Sequence, residues 1–171
     1  MKLNKFVIAL GMVMAAGAAN AADQGHGTIT FQGSIIDSPC SITAETANQT
    51  VDLGQVSSTA LNNGQTSSPK AFFIQLEQCD TQQLKEVSTT FTGAADATNP
   101  KMLGITGSAQ GAGIVITDGS GTPVELGKAS KAQTIGDGSN KLSFSAYLQS
   151  SGASVTAGDF SSTADFTLAY Q

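Results

Sequence analysis

Tryptophan and arginine are absent from this 171-residue chain, histidine occurs once, and eight basic residues face thirteen acidic ones, for a formal net charge of −5. Without a basic cluster the surface has little with which to neutralise a phosphate backbone or an anionic bilayer, so no nucleic-acid partner is expected. The one histidine, His26, lies near the front of the chain and no CxxC spacing occurs. A metal site therefore lacks ligands, and a Ser-His-Asp triad lacks an anchored base. Gly127-Lys128 looks like the end of a phosphate loop. Thr122, however, stands where that loop needs glycine, Pro123 interrupts it and Ala129 follows the lysine. Asp118-Gly119-Ser120-Gly121 has neither the spaced oxygen ligands nor the closing Glu of a calcium loop. No catalytic residue, cofactor or metal is expected.

Long apolar runs are also missing, except at the start. Lys2 and Lys5, the run Phe6 to Ala16 and the small-x-small triplet Ala19-Asn20-Ala21 read together as a signal peptide over residues 1–21. The expected mature chain is soluble and exported, begins at Ala22, and is long enough, at about 150 residues, for one domain with a sizeable core. With 19 Gly and a high content of Ser, Thr, Ala and Val, its composition is that of an all-β protein. Cys40 and Cys79 are its two cysteines, and in an exported chain they are expected to pair. The loop so closed, about 40 residues, corresponds to about 3 to 4 kcal/mol in the chain-entropy model.

Periods of two recur along the rest. Ser34 to Ile42 reads as a strand with a Pro39 kink, and Gln49 to Leu53 as a short strand stopped by Gly54. Phe72, Ile74 and Leu76 share one face of a central strand over Ala71 to Cys79, and Val87, Thr89 and Phe91 mark another. Met102 to Ile105 reads as a short pairing segment and Gly107 to Gly113 as a loose glycine-rich run. Ile114 to Thr117 and Pro123 to Leu126 flank Asp118-Gly119 as a hairpin. Leu142, Phe144, Ala146 and Leu148 alternate, as do Ala164, Phe166, Leu168 and Tyr170. With no convincing helix after the leader, these strands imply a β-sandwich.

The stretch before the first cysteine does not fit its own sandwich so readily. Gly25, Gly27, Ile29, Phe31 and Gly33 fall on one side of an extended chain, with Gln24, His26, Thr28, Thr30 and Gln32 on the other. The alternation asks for a half-buried setting, while glycines on the apolar side make the tail costly to order alone. The tail and the final strand, Phe166-Leu168-Tyr170, read as the two halves of a heterologous interface that does not close on itself.

Several spaced segments match a known pattern: Ile29-Thr30-Phe31-Gln32-Gly33, Asp37-Ser38-Pro39-Cys40-Ser41-Ile42, Val51-Asp52-Leu53-Gly54-Gln55, Leu76-Glu77-Gln78-Cys79 and Asp165 to Gln171 with its penultimate tyrosine. Through them the chain resembles the major pilins of chaperone-usher fimbriae, with P-type and mannose-resistant fimbrial pilins the most similar. The resemblance covers the whole mature chain. It implies an incomplete immunoglobulin-like sandwich (34–171) preceded by a donor-strand extension (22–33) that completes a neighbouring subunit. It further implies a periplasmic chaperone that fills the groove first, an outer-membrane usher, identical pilin subunits as polymer partners, and a tip adhesin or adaptor at the fibre end. Under that reading Gly25, Gly27, Ile29 and Phe31 form the donor strand, and Phe166, Leu168 and Tyr170 the groove and chaperone edge. The alternatives are a minor pilin, adaptor or tip-associated, and a sugar-binding adhesin. Against the adhesin, one domain leaves no room for a lectin module, and the lack of Trp removes the usual sugar-stacking platform.

Overall fold

A computed structural model of the chain describes residues 26–35, 38–152 and 154–171, with the side chain of Asn63 left out of account. The leader, Gly25 and the Ile36-Asp37 step lie outside the described residues. Two compact units divide at Ile35 and Ile36. In the first, residues 26–35 carry no regular secondary structure and all are exposed.

Among the described residues the second unit has eleven strands and three single-turn helices. In chain order they are β1 (Ser41–Ile42), α1 (Ala44–Ala47), α2 (Ser58–Leu61), a 3-10 turn (Asn62–Gly64), β2 (Lys70–Cys79), β3 (Glu86–Gly93), β4 (Leu103–Gly104) and β5 (Thr106–Gly107). There follow β6 (Ala112–Asp118), β7 (Pro123–Val124), β8 (Gln133–Thr134), β9 (Gly138–Ser150), β10 (Phe160–Ser161) and β11 (Ala164–Tyr170). One sheet runs β1-β2-β9-β6-β4 with β7 on β6; a second runs β11-β3-β8, and a small third pairs β10 with β5. Every named strand pair is antiparallel.

The two larger sheets bury their inner faces against each other, which is why the period-two residues alternate so cleanly. Ile74 and Leu76 of β2, Leu142 and Phe144 of β9, and Val87 and Phe91 of β3 belong to one buried cluster. Phe72 and Phe144, cross-strand partners in one sheet, stack with ring centroids 5.7 Å apart. The Phe91 ring of the other sheet meets Phe144 edge-on at 5.1 Å, an aromatic geometry that adds to the plain area term. Cys40 and Cys79 are disulfide-bonded, both buried, and tie the residue before β1 to the end of β2.

The Asp-Gly hairpin forms as its sequence demands, with Ile116 opposite Val124. Asp118 organises it by accepting hydrogen bonds from Ser120 N, Ser120 Oγ and Thr122 N. Burial would raise the Asp118 pKa, but these donors outweigh it and hold the carboxyl below its ordinary value.

Four expectations change. Single-turn helices do occur after the leader, at 44–47 and 58–61. The strand expected over Ser34 to Ile42 is confined to Ser41 and Ile42 among the described residues. The run from Gly107 to Gly113 is not loose. Ser108 N and Ala109 N donate to Asp159 O, and Gln110 and Thr156 exchange backbone bonds, so 107–110 are clasped to residues 156–161, while Ala112 and Gly113 already belong to β6. Finally, Gln49 to Leu53 is not a strand. Past Ile42 the chain covers the β2 edge with other groups: Thr43 N donates to Gln75 O, Gln75 N donates to Thr46 Oγ1, and Gln49 Nε2 donates to Phe73 O. Having left β2 by these steps, residues 50–56 have no ladder to join.

Candidate functional site

Beginning at its last strand, the second sheet is one strand short of a covered face. β11 pairs with β3 over all seven residues, from Ala164 opposite Gly93 to Tyr170 opposite Val87, and has no partner on its other edge among the described residues. Its inward residues Ala164, Phe166, Leu168 and Tyr170 are only half-buried, whereas Val87, Thr89 and Phe91 on the neighbouring β3 are fully buried. A strand whose inner face is wet on one side marks an open edge.

Alongside that edge lie three adjoining cavities of about 740, 330 and 500 Å³. They share lining residues: Thr50, Val51, Leu53, Ile114 and Ser162 belong to the first two, and Thr50, Thr163, Ala164 and Phe166 to the last two. Together they make one groove. Core side chains including Phe72, Phe91, Leu103, Ile114 and Ala146 form its floor. Residues 155–166 form one wall, and residues 50–56 the other, with Val51 half-buried and Leu53 and Val56 half-buried against the core. Among the described residues no backbone ladder bond is made by 50–56; Gly54 N is taken by the Asp52 side chain. The groove is thus apolar at its floor and bounded along β11 and along 50–56 by main chain with unspent hydrogen-bonding capacity, which is the complement of an extended, alternating peptide, while residues 156–161 already spend theirs on 106–110. Charges line it only as Asp52, Asp159 and Asp165.

The structure brings Phe166, Leu168 and Tyr170 to one face of one strand, as their spacing predicts, and Phe166 lines the groove directly. Burial raises the Tyr170 phenol above its ordinary pKa; Ser38 opposes this, although its geometry falls short of a hydrogen bond with the buried hydroxyl. In the tail, Ile29 and Phe31 are 78% and 88% exposed, and no heavy atom lies within 4 Å of where a Gly27 Cβ would be. Not anticipated from sequence were the wall residues Val56, Val155 and Phe160 and the floor residue Ile105. The apolar spacing of Val51, Leu53 and Val56 was the available signal for the first wall.

This geometry defines an immunoglobulin-like sandwich that lacks one strand. Residues 29–171 match the model of the family described as "Fimbrial protein". The fimbria A protein of Serratia marcescens is 57% identical over 174 residues, and the major MR/P fimbria protein of Proteus mirabilis (strain HI4320) 52% identical over 175; both alignments cover 100% of each chain. Among solved structures, the P pilus rod subunit PapA superposes with a TM-score of 0.70 at 35% identity, covering 78% of this chain and 100% of that one. A chaperone-usher pilus structure described in terms of rod uncoiling gives a TM-score of 0.75 at 34% identity, covering 86% and 97%. The chain belongs to the fimbrial protein family.

Proposed function

We propose that the chain is a structural subunit of a surface fimbria whose joints are made by strand donation. Residues 22–33 are the donor extension and residues 34–171 the acceptor body. The observation that carries this reading is that one chain holds both an exposed alternating tail and an apolar groove beside the unpaired edge of β11. Generic affinity comes from main-chain bonds to β11 and to residues 50–56. Ile29 and Phe31 fill apolar depressions in the floor, and Gly25 and Gly27 lie where the groove is shallow. Because the two halves lie on different parts of the subunit, the contact is head-to-tail and propagates into a fibre of identical subunits. Before assembly the same β11 edge, with Phe166, Leu168 and Tyr170, is the surface a periplasmic chaperone covers. An outer-membrane usher then carries the subunit outward, behind a tip adhesin or adaptor. Members of this family are structural subunits, and the chain takes that role on the cell surface rather than a catalytic one.

Two variants test it. Deleting residues 25–31 should leave a folded, chaperone-bound subunit that no longer polymerises. Appending the same segment after Gln171 through a flexible linker should give a soluble monomer with a higher Tm than the parent. Fibres formed by the deleted chain, or no gain in Tm from the appended one, would overturn the reading.

A further inference from the structure

Besides β11, one other long strand has an edge left largely without a strand partner. β1 covers β2 only at Glu77 and Leu76, so from Gln75 back to Lys70 no strand lies on that side among the described residues. The two edges differ in how their main chain is used. Among the described residues, the one side chain bonded to β11 main chain is Ser88 of β3, on the side already paired. On β2 the main chain is taken up group by group: Gln75 O accepts from Thr43 N at 3.1 Å, Gln75 N donates to Thr46 Oγ1 at 3.1 Å, and Phe73 O accepts from Gln49 Nε2 at 3.0 Å. Thr43, Thr46 and Gln49 stand at every third position, and the α1 turn brings them to one side. Thr46 N and Ala47 N donate to Thr43 O, and Gln49 Nε2 donates to Thr46 O as well. Thr46 is 7% exposed and its hydroxyl shares a 2.8 Å hydrogen bond with Thr43 Oγ1, so the group that meets Gln75 N is held in place.

A plain continuation of β1 would meet Gln75 to Phe73 with about three residues. The chain instead spends all of Thr43 to Gln49 on them. This detour frees the main chain of 50–56 to face the groove without baring the edge it has left. We propose that Thr46 and Gln49 are specificity residues of assembly: their side chains occupy the β2 edge, so that the alternating tail of another copy finds a single acceptor edge, that of β11. The inference rests on strand donation as the mode of assembly. A tail that binds largely through main-chain bonds discriminates poorly between two bare edges, because each offers the same row of N–H and C=O groups. Two acceptor edges per copy would branch or bundle the polymer, whereas one gives a linear fibre. The surface beside the guarded edge has the same character. Phe73, 36% exposed, carries Lys141 Nζ 4.0 Å from its ring centroid, and Lys70 opens the strand, so charge stands where an apolar strip would invite pairing.

The test uses full-length fibres, whose β11 edges are filled, and a fluorescent synthetic peptide of residues 22–33 as the probe. Parent fibres should take up label at their ends alone. Fibres of Gln49→Ala should take up label along their length, and fibres of Gln49→Ala with Thr46→Val should bind roughly tenfold more than the parent and bundle side by side in electron micrographs. Thr46→Ser keeps the hydroxyl and should behave as the parent. Gln49 is exposed, so its truncation spares the core, and the single variant decides even where the double one fails to assemble. Gln49→Ala fibres labelled at their ends alone would overturn the guarding role. If assembly of the parent still depends on residues 25–31, that result removes the guard and leaves strand donation standing; fibres that form without those residues would remove both.

Discussion

Phe91 and Phe166 face each other as cross-strand partners on β3 and β11, yet Phe91 is 4% exposed and Phe166 is only half-buried and lines the groove. One residue of the pair belongs to the finished core and the other waits for a cover. Fully burying such a side chain from water is worth on the order of 1.5 to 3 kcal/mol, and because Phe166 is already half-buried, about half of that is left for a covering strand to supply. Phe166→Glu should therefore abolish chaperone capture and lower periplasmic subunit levels, whereas Phe166→Leu should retain both. Immunoblots of periplasmic extracts decide, and normal levels of the Glu variant would contradict the role.

Gly27 has open space around its Cβ direction in the free subunit. Gly27→Leu should accordingly leave the Tm of the chaperone-free or chaperone-bound subunit unchanged, and slow or block polymerisation because a side chain enters a shallow part of the groove. Kinetics of fibre growth by light scattering would show it.

Breaking the disulfide by Cys40→Ser with Cys79→Ser should cost about 3 to 4 kcal/mol in denaturant unfolding. Thiol alkylation of the native protein, followed by mass spectrometry, should find neither cysteine labelled.

Glu125 accepts from Lys101 Nζ at 2.7 Å and pairs with Lys128 Nζ at 2.6 Å, and these hydrogen bonds lower its pKa from 4.5 to about 2. A depressed carboxylate contributes stability that is present above its unfolded pKa and is lost as pH falls through the folded one. The loss should run from about pH 4.5 down to about 2. Because both lysines are well exposed the effect is small and salt-screened. Glu125→Gln should lower Tm slightly near neutral pH in low salt, and the difference from the parent should vanish near pH 2.

Gly107 has φ +133°, and a Cβ there would lie 2.3 Å from the Asp159 carbonyl oxygen. Gly107→Ala should therefore open the clasp between β5 and β10, with a loss of about 1 to 3 kcal/mol measured by thermal unfolding.

That clasp illustrates what the sequence conceals. Strands β2, β3, β9 and β11 were legible because each buries one face against the other sheet and so repeats apolar residues at period two. The Asp-Gly hairpin was legible from turn chemistry. Residues 107–110 carry no such pattern, since their order comes from backbone bonds to a segment about 50 residues away, and Gly107 there serves close approach rather than looseness. Val51 and Leu53 misled in the opposite sense. Their alternation is real, but it records a groove wall rather than a paired strand. Of the site, β11 could be read from its own residues, while the opposing wall and the long cavity depend on distant segments that only the fold brings together.

The Cys40–Cys79 bond has a mechanical side. Cys40 is a buried residue near the start of the second unit, and β1, just after it, is held to β2 by only two residue pairs. In a fibre under tension, a pull arriving through the tail would reach those two pairs at one end and open them one at a time, like a peeled tape. The disulfide intercepts the pull at Cys40 and hands it to Cys79, at the end of a ten-residue strand anchored along β9. Traction is thereby handed to the longer β2–β9 ladder, and the two pairs of β1 are kept out of the line of force.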